Sequence, residues 1–405
     1  MAFFAISPPL FFLSLLIISS TFFSCSSKDK VKERKSRDAG LAVQKEASSF
    51  LKKKTAALDS FFSSLSKSER LAQLFVVNLE GKKEFSFVEW IEEGGEKKPL
   101  IPGGYIFFSF NISKKPEEIA AFTDSVREFA AEHGALEPFL CLDAEGGYVN
   151  RLRGVAGPLP ENKWISKNLS VEDASFIYSL NAVQLRSLGF DLNLSPVVEV
   201  QNESNKEFLN GRSYGSARAA VGYGSAALLA CQKNGVAAVL KHFPGNNSVD
   251  PHLALPLLDY DYDEFFRDVL EPFAILARNK PKGVLMSHAL VRVQGFSKDN
   301  EVPASLSPFW IKETLRGRAA FDGLVFSDDI FMAALEKNGY PSERAVKSAV
   351  LAGVNCILMS EKRFLNEWTI VKKLYDGDEK FRTAADDSAK RILAFKLWAA
   401  ILEWN

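Results

Sequence analysis

The chain has 405 residues, and 47% of them are hydrophobic, so it is long enough to bury a sizeable core as one large domain or two of ordinary size. Fifty basic residues balance fifty acidic ones, which leaves no long-range field to gather nucleic acid or acidic lipid. The composition therefore argues against disorder and against nucleic-acid binding, and any partner must be recognised locally.

The N-terminal segment differs from the rest of the chain. Leu10 to Phe23 is almost wholly Phe, Leu, Ile and Ser, and it ends at Ser24-Cys25 before the polar stretch SSKDKVKERKSRD. About fourteen residues are few for a membrane-spanning helix, and the pattern resembles a bacterial lipoprotein signal peptide. We therefore expect residues 1–24 to be removed, Cys25 to be lipidated, and the exported protein to be membrane-anchored, in the periplasm or on the cell surface.

Two features of this segment leave alternatives open. Met1 to Pro9 contains no Lys or Arg, and Phe23 is an unusual residue so close to the cleavage point. A plain secretory signal or an uncleaved anchor is the alternative interpretation. Residues 25–57 are expected to form a solvated tether, although the absence of Gly and Pro from Leu41 to Lys54 would also suit a helix.

Three further cysteines, Cys141, Cys231 and Cys356, are an odd number, and the first and last lie in apolar runs. This pattern favours buried thiols over a disulfide framework. The Cys and His spacings do not suit zinc, so neither a metal nor another cofactor is expected.

Residues 58–405 are expected to form one domain with alternating strands and helices. Eight apolar runs of strand length end in polar or glycine clusters, and each is followed by a longer amphipathic stretch. The runs are LFVVNL from Leu74, GGYIFFSF from Gly103, PFLCLD from Pro138, FDLNLSPVVEV from Phe190, VAAVLKH from Val236, GVLMSHA from Gly283, GLVFSDD from Gly323 and VNCILMS from Val354.

This alternation predicts an α/β fold, a closed (β/α)8 barrel of the TIM type with a single catalytic domain. A doubly wound open sheet is the structural alternative, but no GxGxxG motif follows the first run. In a barrel, reactive side chains gather where the strands end. Four of the runs end in such residues, at Asp143-Ala144-Glu145, Lys241-His242, Ser287-His288 and Ser327-Asp328-Asp329. Their convergence predicts a pocket.

Carboxylates and imidazoles without a metal suit glycoside cleavage, in which one group attacks the anomeric carbon and another protonates the leaving oxygen. Asp250 and His252 lie two residues apart, so both can point to one side of an extended loop. An aspartate beside a histidine stabilises the imidazolium and so suits it as the proton donor. The alternative is that Asp250 caps a turn and His252 is a packed loop residue.

From about Ser66 to Lys396 the chain also carries a series of family motifs in order. They include LAQLFVV, LDAEGGYVNRL, GRSYGS, KHFPG, DPHLALP, VLMSHA, GLVFSDDI and AGVNCILM. With these motifs the sequence resembles glycoside hydrolase family 3, in particular its single-domain bacterial β-N-acetylglucosaminidase branch. KHFPG followed closely by D-x-H is the most specific signal.

The resemblance implies roles for particular residues. Asp328 would be the nucleophile of a retaining reaction, and His252 the general acid and base, oriented by Asp250. Asp143, Arg212, Lys241 and His242 would bind the sugar. Asp329, next along the strand, would be structural. Independently of the resemblance, Lys241 and His242 are donors suited to a polyol, or Lys241 is paired with a neighbouring carboxylate in a structural role.

The sequence departs from the family pattern at several positions. Tyr148 stands where an arginine is usual, and Glu199 and Asn355 stand where aspartate is usual. The loop Asn246 to Val249 is two residues shorter than in the family, whose motif reads KHFPGHG. A shorter loop has fewer hinge conformations and could deliver His252 less readily.

These features predict an exo-acting β-N-acetylhexosaminidase that releases N-acetylglucosamine from cell-wall fragments or related glycans. The alternative is a catalytically weak or inactive surface lipoprotein that binds glycan, which Tyr148 and the shortened loop favour.

Overall fold

The computed structural model describes residues 55–86, 88–155, 157, 159–249 and 254–399. Residues from Ala57 onward form one compact unit, which contains the sheet and the core. The predicted signal peptide, Cys25 and nearly all of the predicted tether lie outside the described residues. The domain boundaries after residues 24 and 57 therefore stay predictions.

This compact unit is built on short buried strands. In chain order the strands are β1 Phe75–Asn78, β2 Glu89–Glu93, β3 Glu96–Leu100, β4 Gly104–Phe107, β5 Phe139–Leu142, β6 Ala144–Gly146, β7 Val149–Asn150, β8 Leu192–Asn193, β9 Ala237–Phe243, β10 Leu257–Tyr260, β11 Gly283–Met286, β12 Leu290–Val293, β13 Leu324–Phe326 and β14 Ile357–Met359. Eight of them form one sheet in the order β13-β11-β9-β8-β5-β4-β1-β14, and every pair in it is parallel.

The sheet closes into a barrel. A parallel bridge between Phe326 and Cys356 joins β13 to the segment that enters β14, and the Ser327 N–H donates to the Cys356 carbonyl at 3.0 Å. The eight sheet strands are the eight apolar runs of the sequence in the same order, so the prediction of a (β/α)8 barrel is confirmed. The runs are apolar throughout because each strand is covered by helices on one face and by the barrel interior on the other.

Helices surround the barrel. They are residues 55–64, α1 Lys67–Ala72, α2 Pro116–Glu132, α3 Asn162–Asn168, α4 Val171–Ser187, α5 Lys206–Leu209, α6 Ala217–Lys233, α7 Tyr262–Phe265, α8 Glu271–Ala277, α9 Ala333–Lys337, α10 Ser342–Ala352, α11 Leu365–Gly377 and α12 Glu379–Trp398, with π-helical turns at Phe266–Leu270 and Phe309–Arg318. Side chains of Ser66, Ser170, Ser216, Asp261 and Asp378 accept N–H bonds at helix starts. None of the described helices is long and apolar enough to cross a membrane.

Two local elements differ from the expectation. An antiparallel hairpin, β2–β3, stands between the first two barrel strands where a helix was expected, because Gly94 and Gly95 adopt positive φ and form a two-residue turn. The fourth strand is also shorter than its apolar run: β8 pairs only over Leu192–Asn193, and a single bridge at Val197 follows. Pro196 lies between them and has no N–H to donate to a ladder.

The core has two layers. The larger cluster packs between the strands and the helices, and a smaller one fills the barrel interior. At the end where the strands begin, α12 closes the interior: Phe395 packs against Phe139 with ring centroids 5.5 Å apart. Cys141, Cys231 and Cys356 are buried free thiols, as predicted.

The closing helix also buries a lysine. Lys396 is fully buried, and its Nζ donates to the Gln73 side chain at 2.6 Å and to the Glu137 carbonyl at 2.7 Å. Both acceptors are uncharged, so burial lowers the pKa of Lys396 from 10.5 to about 7 despite the partial opposing effect of the Glu137 carboxylate.

This lysine makes stability depend on pH. The cost of burying its charge is full below the folded pKa of about 7 and fades as the pH rises towards 10.5, the value in the unfolded chain. Between about pH 6 and pH 9 this group should raise the free energy of unfolding by about 2–3 kcal/mol. Lys396→Met should remove that rise in denaturant titrations. Lys390→Met, on the same helix but half-exposed and paired with Asp59, should keep it. Equal pH dependence in the wild type and Lys396→Met would contradict this account.

Candidate active site

The polar strand endings meet at one end of the barrel. Asp143 follows β5, Lys241 and His242 are near the end of β9, His288 follows β11 and Asp328 follows β13. Because the eight strands are parallel, these ends form a single mouth. Direct contacts join them: Lys241 Nζ lies 2.7 Å from Asp143 Oδ1, and His288 Nε2 lies 3.0 Å from the carbonyl oxygen of Asp329.

Five charged side chains form an ionic cluster at this mouth. Lys241 contacts both Asp143 and Glu145, the latter at 2.6 Å. Arg212 makes a bidentate pair with Glu145, with both bonds at 2.8 Å, and Arg151 pairs with Asp143 at 3.0 Å. Lys241 and Glu145 are almost completely buried. The ionic cluster is thus two carboxylates held between three cations.

The ionic cluster stays fully charged near neutral pH. Burial would raise the pKa of Asp143, but Lys241 and Arg151 outweigh it and hold this pKa well below its usual range. The pKa of Glu145 is likewise lowered, because Lys241 and Arg212 overcome its burial. Burial would lower the pKa of Lys241, yet its two carboxylates raise it. Each charge is therefore stabilised by its partners, as buried ion pairs require.

The turn after β6 places Glu145 against its partners. Gly146 has a φ of +106°, and a Cβ added there would lie 2.2 Å from the Pro160 carbonyl oxygen, so only glycine fits. The chain then folds back through the β6–β7 hairpin, and the Arg151 N–H donates to the Asp143 carbonyl at 2.9 Å. The hairpin therefore brings Arg151 next to Asp143, although Arg151 comes eight residues later in the chain.

His242 is paired with a carboxylate of its own. Its Nδ1 lies 2.5 Å from Glu199 Oε1, and the second oxygen, Oε2, accepts the Asn246 N–H at 2.7 Å. Nε2 of His242 makes no hydrogen bond within the described part of the chain. The short contact assigns the Nδ1 proton to the bond with Glu199 and leaves Nε2 available.

Asp328 and Asp329 have different surroundings. Asp328 is partly buried, and its Oδ1 accepts only the N–H of Asp329, at 2.9 Å, among described residues. Asp329 Oδ1 accepts the N–H groups of Phe331 and Ser360, both at 3.1 Å, which ties the loop after β13 to the loop after β14. Asp329 therefore holds the loops, in line with its expected structural role, whereas Asp328 keeps free acceptor capacity.

The predicted dyad, Asp250 and His252, lies outside the described residues. The loop that leads to it is described as far as Val249 and is well anchored. Asn247 Nδ2 donates to the Leu257 carbonyl at 2.9 Å, the Ser248 N–H to the Ser204 carbonyl at 2.7 Å, and the Val249 N–H to Asn247 Oδ1 at 2.9 Å.

Known proteins share this fold and these motifs. Residues 68–395 match the family model described as the glycosyl hydrolase family 3 N terminal domain. The chain belongs to glycoside hydrolase family 3. A Beta-hexosaminidase of Haemophilus influenzae is 31% identical over 298 residues, 71% of this chain and 79% of that protein. A Beta-hexosaminidase of Methylococcus capsulatus is 30% identical over 298 residues, 72% of this chain and 84% of that protein.

Solved structures agree with the family. A glycoside hydrolase family 3 β-N-acetylglucosaminidase from Paenibacillus sp. str. FPU-7 superimposes with a TM-score of 0.74 at 28% identity, covering 84% of this chain and 63% of that chain. This family 3 protein is therefore a glycoside hydrolase. Among its described residues, no group of three or more His, Cys, Asp or Glu side chains could hold a metal ion.

The family 3 site has hydrogen-bonding capacity left for a sugar. Lys241 has three N–H donors and uses two of them on Asp143 and Glu145. Asp143 receives one cation on each oxygen, which leaves lone pairs for hydroxyl groups. Lys241 therefore pairs with carboxylates, as its structural alternative predicts, and still has the capacity to bind substrate. The predicted sugar-binding roles stay predictions.

Sequence reasoning missed three residues of this family 3 site. Glu145 belongs to a predicted polar strand ending but has no predicted role, and Arg151 has none either. Glu199 appears in the sequence only as a departure from the family pattern. A signal for Arg151 exists, because the Gly146-Gly147 turn predicts a hairpin that returns the chain to Asp143. Arg212 is predicted to bind sugar, and within the described part of the chain its two side-chain hydrogen bonds go to Glu145.

Two other departures from the family 3 pattern, Tyr148 and Asn355, each contact an arginine. Tyr148 is 84% exposed, and the Arg153 guanidinium lies 4.9 Å from its ring centroid, so a cation–π contact stands at this position. Asn355 Oδ1 accepts from Arg316 at 3.0 Å and from the Val325 N–H at 2.9 Å. Burial lowers the pKa of Arg316 to about 10, and nearby Arg391 adds to the effect.

The ionic cluster predicts a test by stability. Glu145→Gln removes the charge that Lys241 and Arg212 share, and breaking a buried pair in this way typically costs about 3–5 kcal/mol. The urea midpoint should fall accordingly. Glu203→Gln is the matched control, because Glu203 is 91% exposed and, among described residues, pairs with Lys206 alone, so its midpoint should stay near that of the wild type. Equal midpoints for the two variants would contradict the assignment of the ionic cluster as a buried, mutually stabilised unit.

Proposed function

We propose that the protein is an exo-acting, retaining β-N-acetylhexosaminidase that releases terminal N-acetylglucosamine from cell-wall fragments or related glycans. The observation that carries the proposal is the half-buried Asp328 carboxylate at the same barrel mouth as the ionic cluster, in a chain whose relatives are named Beta-hexosaminidase. A carboxylate with free oxygen lone pairs is the nucleophile that a retaining glycosidase requires.

The proposed reaction has two steps. Asp328 attacks the anomeric carbon while His252, oriented by Asp250, protonates the leaving oxygen, and a covalent glycosyl-enzyme forms. Water, deprotonated by His252, then attacks the anomeric carbon and releases the sugar with its configuration retained. Asp143, Lys241, His242 and Arg212 hold the terminal sugar. In this scheme Asp143 and Lys241 offer an acceptor and a donor that are both fixed by the ionic cluster, so little ordering is needed when the substrate binds.

The activity is tested with a chromogenic N-acetyl-β-glucosaminide. The wild type should turn it over, and Asp328→Asn should lower kcat by about 10³-fold or more, because an amide is a poor nucleophile. Asp329→Asn is the matched control: its amide oxygen can still accept the N–H groups of Phe331 and Ser360, so it should retain most of the activity.

Two outcomes would contradict the proposal. Comparable losses in the two aspartate variants would remove the distinction between nucleophile and structural residue. A wild type that binds N-acetylglucosamine without turnover would instead support the glycan-binding alternative.

We also propose that the protein is exported and anchored to a membrane through lipid on Cys25. The support is the apolar run from Leu10 to Phe23 followed by Ser24-Cys25 and a charged stretch. Cells fed an alkyne-tagged fatty acid should label the wild type, and Cys25→Ser should lose the label. An unlabelled wild type would favour the plain secretory signal or the uncleaved anchor.

A further inference from the structure

Glu199 joins two parts of the active site that belong to different segments. Its Oε1 accepts from His242 Nδ1 at 2.5 Å and from the His242 N–H at 3.3 Å, and its Oε2 accepts the Asn246 N–H at 2.7 Å. Glu199, His242 and Asn246 are all buried. Each oxygen of this one carboxylate therefore serves a different segment: Oε1 binds His242 near the end of β9, and Oε2 binds Asn246 in the loop that follows β9.

The backbone that carries Glu199 is held firmly. The neighbouring Val198 N–H donates to the Lys241 carbonyl at 2.9 Å, and the Ser213 hydroxyl donates to the Glu199 carbonyl at 2.7 Å. With both sides of the backbone fixed, the reach of the carboxylate is set by the length of its side chain. An aspartate here would be one methylene shorter and could not keep both contacts without movement of the backbone.

The two contacts have different chemical consequences. The bond to Nδ1 fixes the tautomer and ring orientation of His242 and leaves Nε2 as the ring nitrogen available to a sugar hydroxyl. The bond to the Asn246 N–H fixes the start of the loop, and Asp250 and His252 follow only four and six residues further on. A short loop has few hinge conformations, so the position of its base strongly limits where its later residues can lie.

We propose that Glu199 is a positioning residue that couples the sugar-binding histidine, His242, to the base of the loop that bears the general acid, His252. This inference rests on the proposed function, because it concerns how that reaction is arranged. The carboxylate of Glu199 is assigned to His242 and Asn246 and not to the reacting atoms. Its role is to hold sugar binding and proton delivery in one geometry.

Two substitutions at Glu199 separate the two contacts. Glu199→Asp keeps the charge beside His242 but loses reach to the Asn246 N–H. Glu199→Gln keeps the length, and its amide oxygen can still accept that N–H, while its amide nitrogen faces His242 Nδ1 and requires the other tautomer. Asn247→Ala disturbs the loop alone, because Asn247 contacts Leu257 and Val249 but not His242.

The decisive measurement is kcat/KM on two N-acetyl-β-glucosaminides, one with the activated 4-nitrophenyl leaving group and one with an unactivated alkyl group that needs a proton donor. In Glu199→Asp and Asn247→Ala, kcat/KM on the alkyl glycoside should fall about tenfold or more further than kcat/KM on the nitrophenyl glycoside. His252→Ala should show a difference in the same direction. Glu199→Gln should raise KM on both substrates by similar factors without that split.

Controls separate positioning from general damage. Glu137→Asp and Glu137→Gln make the same chemical changes at the opposite end of the barrel, where Glu137 pairs with Arg127, and should show no split. Equal losses on both glycosides in Glu199→Asp and Asn247→Ala would overturn the coupling role. Should Glu199→Asp fail to fold, Asn247→Ala decides by the same criterion. A wild type without turnover of either glycoside would refute the proposed function itself, which is a different result.

Discussion

The active site depends on mutual neutralisation of buried charge. Asp143 and Glu145 are both removed from water beneath the barrel mouth, and each would be protonated or unstable there without Lys241, Arg151 and Arg212. Within the ionic cluster, the three cations keep both carboxylates ionised. The cluster also supplies the site with rigid donors and acceptors. Its members come from three separate segments, after β5, near the end of β9 and in the 3-10 turn Asn210–Arg212, so the neighbouring strands β5, β8 and β9 have to pair for the cluster to exist.

The two ends of the barrel treat buried cations in opposite ways. At the mouth, Lys241 meets two carboxylates, and its pKa is raised. At the end where the strands begin, Lys396 meets only a side-chain amide and a backbone carbonyl, and its pKa falls to about 7. Neutral acceptors satisfy the hydrogen bonds of an ammonium group but do not compensate for its lost hydration. The side chains at the mouth thus stay charged and can bind a polar substrate. The closed end buries a lysine whose pKa is close to neutral pH.

Much of the architecture could be predicted from the sequence because parallel barrel strands are buried on both faces and appear as apolar runs. The same logic placed Asp143, Lys241 and Asp328 at one mouth. It did not identify the partners of these residues, because pairing across the mouth depends on side-chain reach and on turns such as Gly146-Gly147. The burial of Lys396 could not be predicted either. Lys390 and Lys396 lie on one amphipathic helix, and only the packing of α12 against the barrel end distinguishes them. The general alternation of strands and helices does not predict the β2–β3 hairpin, which is inserted between two barrel strands.

In the proposed mechanism, Asp328 is the nucleophile of a glycoside hydrolase whose sugar site is built on the ionic cluster. Mass spectrometry after incubation with a fluorinated N-acetylglucosaminyl fluoride, a substrate that forms the glycosyl-enzyme faster than it is hydrolysed, identifies the nucleophile. One covalent adduct per chain is expected, with the modified peptide carrying the sugar on Asp328. An adduct on another carboxylate, or turnover without an adduct on Asp328, would contradict it.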